Sequence, residues 1–486
     1  MQGAIGTATV AGVEAIPVEV QADVSAGLPL FAIVGLADTA VQEARDRVRA
    51  AQRAAGFDFP NARVVVNLAP APLRKHGTGF DLPIALAILL ATRQLPVHLF
   101  EDVMAVGELG LDGTVRAVPG MLAHAISASR EGHALLGPAA SADIVGVVPH
   151  LAYRAIDCVG ALKRGLPDAS VAGLMRRPDP PRPDVLLEDI AGHEAAKRCL
   201  EIAAAGNHNV LLIGPPGSGK TMLARSLCGL LPELSDGERL ESALVHSVAG
   251  KDPRPCLEGV RPFRAPHHSS SIAGLVGGGA PPRPGEISLA HNGVLFMDEL
   301  PEFPAAALQA LRQPIEEGMV TLVRAQGAIR YPARVTVVAA MNPCPCGYAG
   351  DPHRQCICPP AAVARYAARI SGPLYDRMDM AIRVDRVDPA LLLDSPPALN
   401  TTADSHARVE RARGAGEDSH PEPRGPALSP PARTLLRDAA RRAHLSGRAV
   451  TRLVRVSRTI AVLDSSDTIL EEHIGEALGY RTWEPS

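Results

Sequence analysis

The chain lacks an excess of charge of either sign: 49 Lys and Arg face 52 Asp and Glu, a formal net charge of −3 over 486 residues. A molecule so balanced has no general electrostatic pull toward nucleic acid or anionic lipid. Any polyanion contact must come from basic side chains gathered locally, as in a channel formed by several subunits. It also lacks any apolar run approaching the ~20 residues of a membrane span. The stretch from Met1 to Val10 shows neither a basic n-region nor an apolar h-region, so we expect a cytoplasmic protein without a membrane partner. A disulfide framework is missing as well. Cys158, Cys199, Cys228 and Cys256 stand singly, while Cys344, Cys346, Cys356 and Cys358 crowd into one short segment, a pattern that suggests metal. What is present is ordinary for a globular chain, with 46% hydrophobic and 21% charged residues and length for roughly two to four domains.

The most specific motif is Gly214-Pro215-Pro216-Gly217-Ser218-Gly219-Lys220-Thr221. It lies between the apolar run Asn209–Ile213 and a helix-like stretch starting at Met222. In such a loop successive backbone N–H groups point at a phosphate, Lys220 supplies charge to the β- and γ-phosphates, and the Thr221 hydroxyl can ligate Mg²⁺. The chain is therefore expected to bind ATP. A second apolar strand, Val294–Met297, ends in Asp298 and Glu299, where the first carboxylate would order the Mg²⁺ shell and the second polarise the attacking water. A third, Val335–Met341, ends in Asn342, placed to hold that water. Three such strands in order predict a doubly wound ATPase sheet with its site at the strand ends.

Composition shifts mark the domains. Residues 1–170 alternate β-rich runs such as Ala15–Val24 with helix-like blocks such as Thr39–Ala55 and Asp81–Thr92, an α/β pattern. A proline-rich linker follows within 171–184, centred on Arg176–Pro183, which can neither continue a helix nor join a central strand. The ATPase core is placed at 185–390 with a four-cysteine insert at 343–359. Residues 391–431, rich in Pro, Ser and Ala without periodicity, read as a second linker. The span 432–486 carries helical periodicity and predicts a small lid.

The insert reads Cys344-Pro345-Cys346 and Cys356-Ile357-Cys358. Two close thiolate pairs can close a tetrahedral shell around a structural Zn²⁺, with His353 as a possible substitute ligand. Two segments offer basic side chains for nucleic acid. One is the strand-turn-strand pattern from Gly318 to Pro332, with Arg324 as phosphate contact. The other runs from Arg261 to Arg283 and carries Arg264, His267, His268 and the flexible Gly277-Gly278-Gly279. Both have few aromatics, which suits backbone tracking more than base readout.

Several of these runs together carry a resemblance. They are Asn67-Leu68-Ala69-Pro70-Ala71-Pro72, Phe80–Ala87, the phosphate loop, Arg261–His268, Pro284–His291, Met341–Gly347 and Ile370–Leu374. In these the chain resembles the ComM (YifB) family of magnesium-chelatase-like AAA+ ATPases over nearly its whole length. The resemblance implies a homo-hexameric motor on branched or single-stranded DNA, a branch-migration helicase that serves recombination and the integration of transforming DNA, working beside recombination proteins. It also implies that Arg377, in Asp376-Arg377-Met378-Asp379, reaches into a neighbouring subunit's site. In the lid, Arg448 would be the second sensor, with Arg452 in reserve. The segments Lys75–Asp81 and Gly107–Gly120 further resemble the proteolytic domain of Lon-type proteases, on a fold like domain 2 of ribosomal protein S5. Aligned on these glycines, the nucleophile position is Gly79 and the lysine position Leu122. A scaffold is therefore expected in place of a peptidase. The competing reading is a magnesium-chelatase subunit that drives metal insertion into a porphyrin, or one that remodels a protein partner.

Overall fold

The computed structural model describes residues 1–171, 183–324, 327–370, 374–388, 401–414 and 426–481. The polyproline stretch at 176–182, most of the second expected linker and the Ser371–Pro373 part of one family motif lie outside the described residues.

The first domain is built on one mixed sheet. Its strands are β1 (Gln2–Ala11), β2 (Glu14–Ser25), β3 (Leu30–Val34), β4 (Arg63–Ala69), β5 (Val103–Ala105), β6 (Ala134–Pro138), β7 (Ala152–Ile156) and β8 (Ser170–Val171), in the spatial order β8-β7-β6-β5-β1-β2-β4-β3. On β2 from Val18 onward and on β4, buried residues alternate with exposed or half-buried ones, as expected of strands covered on one face. That face is covered by α1 (Thr39–Ala54) and by α2 (Asp81–Ala91), every residue of which is buried. Asp81, at the start of α2, is fully buried and is held by Arg47 at 2.6 and 2.9 Å and by the Leu109 N–H. Gly79 lies against Val106 and Val118, and Leu122 is fully buried. The two positions that would carry peptidase chemistry are thus apolar and packed.

The second sheet has five parallel strands: β9 (Val210–Ile213), β10 (Phe263–Arg264), β11 (Gly293–Met297), β14 (Val335–Met341) and β15 (Met380–Arg383), ordered β10-β11-β14-β9-β15. Between β11 and β14 in the chain, an antiparallel hairpin of β12 (Met319–Arg324) and β13 (Gly327–Pro332) stands apart from the sheet. Every residue of β9 and β11 is buried, as is β14 beyond Val335. This is why their sequences read as continuous apolar runs. The two domains share a core in which Met121 and Leu122 pack with Ala243, Cys256 and Leu257. The Gly120 and Leu122 N–H groups bond Ser247, and Arg254 reaches Asp143 at 2.7 Å.

The expected linker at 391–431 needs correction. Thr402–Gly414 is a helix, and the lid begins at Pro430 with Pro430–Arg442, followed by Gly447–Leu463 and Glu471–Gly479. The 402–414 helix has little amphipathic pattern because polar groups hold it down. The Thr402 hydroxyl donates to Glu188 and accepts from the Leu187 N–H, Arg408 pairs with Glu201, and Arg413 donates to the Ala204 carbonyl. Val409 supplies the buried apolar contact. None of those partners is local in sequence, so periodicity could not show them.

Candidate nucleotide site and cysteine cluster

The parallel order brings the ends of β9, β14 and β11 side by side, and each expected polar residue follows one of them. After β9 the loop turns through Gly217 and Gly219 at φ +77° and +86°, a region side chains avoid, and then starts the helix Lys220–Leu230. Lys220 is buried. Its ammonium donates to the Gly214 and Pro215 carbonyls at 2.8 and 2.9 Å and lies 3.4 Å from Asn342 Oδ1. Burial lowers its pKa, opposed by the charges of Asp298 and Glu299. Thr221 Oγ1 and Asp298 Oδ2 are 3.5 Å apart, a hard-oxygen pair that fits Mg²⁺. The Ser218 hydroxyl is buried without a protein partner, as suits a donor reserved for a phosphate oxygen. Lys220, Thr221, Asp298 and Asn342 therefore converge as the spacing predicts.

Glu299 follows Asp298 with its backbone at φ +50°. Its carboxylate partner is His268, whose Nδ1 lies 3.3 Å from Oε2. This departs from the expected use of the 261–283 segment as a nucleic-acid contact. Arg264 is also engaged internally, bonded to both carboxylate oxygens of Glu286 at 2.6 and 2.8 Å. Arg324, by contrast, stands exposed near the tip of the β12–β13 hairpin, with one donor on the Gly279 carbonyl.

Arg377 lies in a single helical turn, Tyr375–Arg377, and pairs with Glu316 at 2.5 Å within the same chain. In the lid helix Gly447–Leu463, Arg448 is exposed, whereas Arg452 and Arg455 approach Asp379 at 3.6 and 3.9 Å. Asp379 is buried. Burial would raise its pKa, but His208, Arg455 and the Asn209 N–H outweigh this and hold it low. The lid is thus tied to the core through Asp379, a residue that carried no local signal of its role.

The four cysteine sulfurs all lie within 4.8 Å of one another. Cys344 is 3.3 Å from Cys346 and 3.6 Å from Cys356, and Cys346 is 3.6 Å from Cys356. A tetrahedron with Zn–S bonds of about 2.3 Å sets sulfurs roughly 3.8 Å apart, whereas a disulfide needs about 2.05 Å. The donor set fits a structural zinc. Backbone donors at Ile357 and Tyr348 bring the Cys346 thiol down to about 6, while desolvation and the neighbouring thiols push Cys356 and Cys358 up. His353 is not part of the cluster.

Two neighbours of the site are given no role by the sequence. His193, at φ +59° at the head of the helix Glu194–Gly206, sits beside Gly219 of the phosphate loop. Gly347, just past the first cysteine pair, rests so close to Pro216 that a Cβ there would lie 2.6 Å from the Pro216 Cδ. The cysteine cluster and the phosphate loop are therefore in direct contact.

Comparison with known proteins agrees with this geometry. The profile of magnesium chelatase, subunit ChlI, matches residues 186–392, that of subunit ChlI of Mg-chelatase matches 20–141, and the ChlI C-terminal profile matches 400–481. The protein YifB of Escherichia coli is 41% identical over 98% of this chain and 96% of its own. The competence protein ComM of Haemophilus influenzae is 42% identical over 97% and 95%. An archaeal Lon protease from Methanothermobacter thermautotrophicus is 41% identical over 16% of this chain and 12% of its own. No helix among the described residues is long and apolar enough to cross a membrane. The chain belongs to the ComM/YifB family of magnesium-chelatase-like proteins.

Proposed function

We propose that this protein hydrolyses ATP as a ring-forming AAA+ motor, and that the work is done on branched or single-stranded DNA. The observation that carries the ATPase reading is the convergence of Lys220, Thr221, Asp298 and Asn342 at three adjacent strand ends. Loop N–H groups and Lys220 would hold the phosphates, Thr221 and Asp298 would hold Mg²⁺, Asn342 would orient the water and Glu299 would take its proton. When bound there, Mg²⁺ would supply charge neutralisation to the phosphates. A homo-hexamer would complete each site with Arg377 of the adjacent subunit. Residues 1–170 act as a Lon-like, S5-type scaffold for the ring. The DNA reading rests on the family, on a relative named as a competence protein, and on the exposed β12–β13 hairpin with Arg324 and Arg330. Branch migration of recombination intermediates, including integrating transforming DNA, is the task that fits.

A synthetic four-way junction should raise ATP turnover severalfold and be converted to its branch-migrated products. Neither stimulation nor conversion at saturating ATP would remove the DNA reading and leave the nucleotide site standing. Stimulation by a porphyrin with a chelatase partner, in place of DNA, would establish the alternative, metal insertion or partner remodelling.

Zinc is the metal we assign to Cys344, Cys346, Cys356 and Cys358. The protein purified under reducing conditions should contain about one zinc per chain, and chelation should lower its melting temperature because the metal closes the loop. Chelation should also weaken nucleotide binding, since Gly347 braces Pro216. Elemental analysis and titration with a fluorescent ATP analogue check both. Zinc-free protein with unchanged affinity would end the assignment.

A further inference from the structure

Among the described residues, the hairpin of β12 and β13 pairs with no strand outside itself. Two strands alone are marginal in water and need packing against something else. On one side the support is the ribbon in which Gly277–Gly278 pairs with Arg283–Pro284. The Gly279 carbonyl accepts from Arg324 at 3.3 Å and the Pro282 carbonyl from the Tyr331 hydroxyl at 3.0 Å.

A second support comes from the first domain. β1 and β2 run as one unbroken ladder from the Gln2–Asp23 pair to Ala11–Glu14, which leaves Gly12 and Val13 as the turn. Turns ordinarily lie in solvent, yet Gly12 is buried and Val13 half-buried. What lies against Gly12 is the hairpin. A Cβ at this position would stand 3.0 Å from the Arg330 carbonyl oxygen and 3.1 Å from the Ile329 side chain, a closeness that only glycine permits. Val13 packs on the apolar cluster to which Val320, Leu322, Ile329 and Tyr331 belong. The same domain is fixed to the ATPase core at another place, where the Gly120 and Leu122 N–H groups bond Ser247 and Ala8 of β1 shares a cluster with Leu122 and Ala243. The β1–β2 ladder is thus seated on the core near Ala8 and meets the hairpin at its turn.

A binding element already held in place does not have to be ordered when its ligand arrives, which raises affinity. Arg324 and Arg330 are both exposed on the hairpin. We propose that the β1–β2 turn is a brace, in which Gly12 and Val13 are positioning residues that hold these two arginines in place for phosphate groups of DNA. The first domain then takes part in the DNA contact itself. The consequence for DNA rests on the proposed function, whereas the brace does not.

The test uses the full-length protein. Amide hydrogen exchange is followed across residues 319–332 without nucleotide or DNA, and ATP turnover is measured against the concentration of a four-way junction. Val13→Ala should speed exchange in the hairpin roughly threefold to tenfold, as expected for two methyl groups lost from a half-buried contact. Gly12→Asn, which tolerates the φ of +69° but brings a side chain against the Arg330 carbonyl, should do the same. Both should raise the junction concentration for half-maximal stimulation by a similar factor, with basal kcat and the KM for ATP changed less than about twofold. Val13→Ile keeps the apolar contact and should match the wild type on every measure. A turn that serves only its own domain predicts faster exchange in β1 and β2 with the hairpin unchanged, or the same loss in Val13→Ile. Either result overturns the proposal, and so does a loosened hairpin with an unaltered response to the junction. Absence of stimulation in the wild-type chain would be a different failure, that of the DNA reading, and hairpin exchange alone would then decide the brace.

Discussion

Glu299→Gln should keep ATP and Mg²⁺ bound while lowering turnover by about 10²- to 10⁴-fold, the range that a general base contributes. The amide keeps the size of the carboxylate but cannot take a proton. The ground-state contacts would lie elsewhere, on Lys220, Ser218, Thr221 and Asp298, and Glu299 supports Asp298 only through its backbone N–H, which the substitution keeps. The loss should therefore fall on kcat, with affinity for a fluorescent ATP analogue unchanged. Lys220→Ala should behave in the opposite sense. Its buried ammonium spans the loop carbonyls and meets the phosphates in the ground state, so binding itself should weaken. Wild-type turnover in Glu299→Gln would remove this residue from the chemistry.

The parts of this molecule that sequence made legible are those whose cause is local or periodic. Strands buried on both faces read as apolar runs, and the polar residue after each run had to lie at a strand end. Hence Asp298 and Asn342 are legible from the runs they follow, and Lys220 from the glycine-rich loop between strand and helix. The cysteine pairs were legible for the same reason, since ligand spacing is short. What sequence did not show are contacts between distant segments with no periodic signature. The helix Thr402–Gly414 is fastened by Glu188, Glu201 and Ala204. Arg264 and His268 looked like basic groups available to DNA until the fold set Glu286 and Glu299 against them. Arg452 was the reserve choice beside Arg448, and only packing shows which of the two faces Asp379. Gly347 touching Pro216 has no counterpart in any motif.

Arg377→Ala should leave ATP affinity largely intact and cut turnover by about 10³-fold, the lower end of what a trans-acting arginine contributes to phosphoryl transfer. Its charge would be needed mainly when negative charge builds on the departing γ-phosphate. Within one chain Arg377 is paired with Glu316, whose side chain is about half exposed. Reaching a neighbour's site therefore means exchanging a half-hydrated carboxylate for phosphate oxygens, so the guanidinium keeps an anionic partner in either state. The same pair defines the competing explanation, a clip between the turn Tyr375–Arg377 and the helix Arg312–Glu317. Glu316→Ala separates the two. A clip predicts that Glu316→Ala and Arg377→Ala lose the same stability and the same activity, whereas a trans-acting arginine predicts that Glu316→Ala stays active. Mixing completes the argument. In a ring that combines Arg377→Ala with Glu299→Gln subunits, some sites pair an intact Glu299 with a neighbour's intact Arg377, and part of the ATPase activity should return. If hybrid rings demonstrated by mass analysis stay inactive, Arg377 does not act across a subunit boundary, and the ring mechanism loses the residue meant to couple one subunit's hydrolysis to the next.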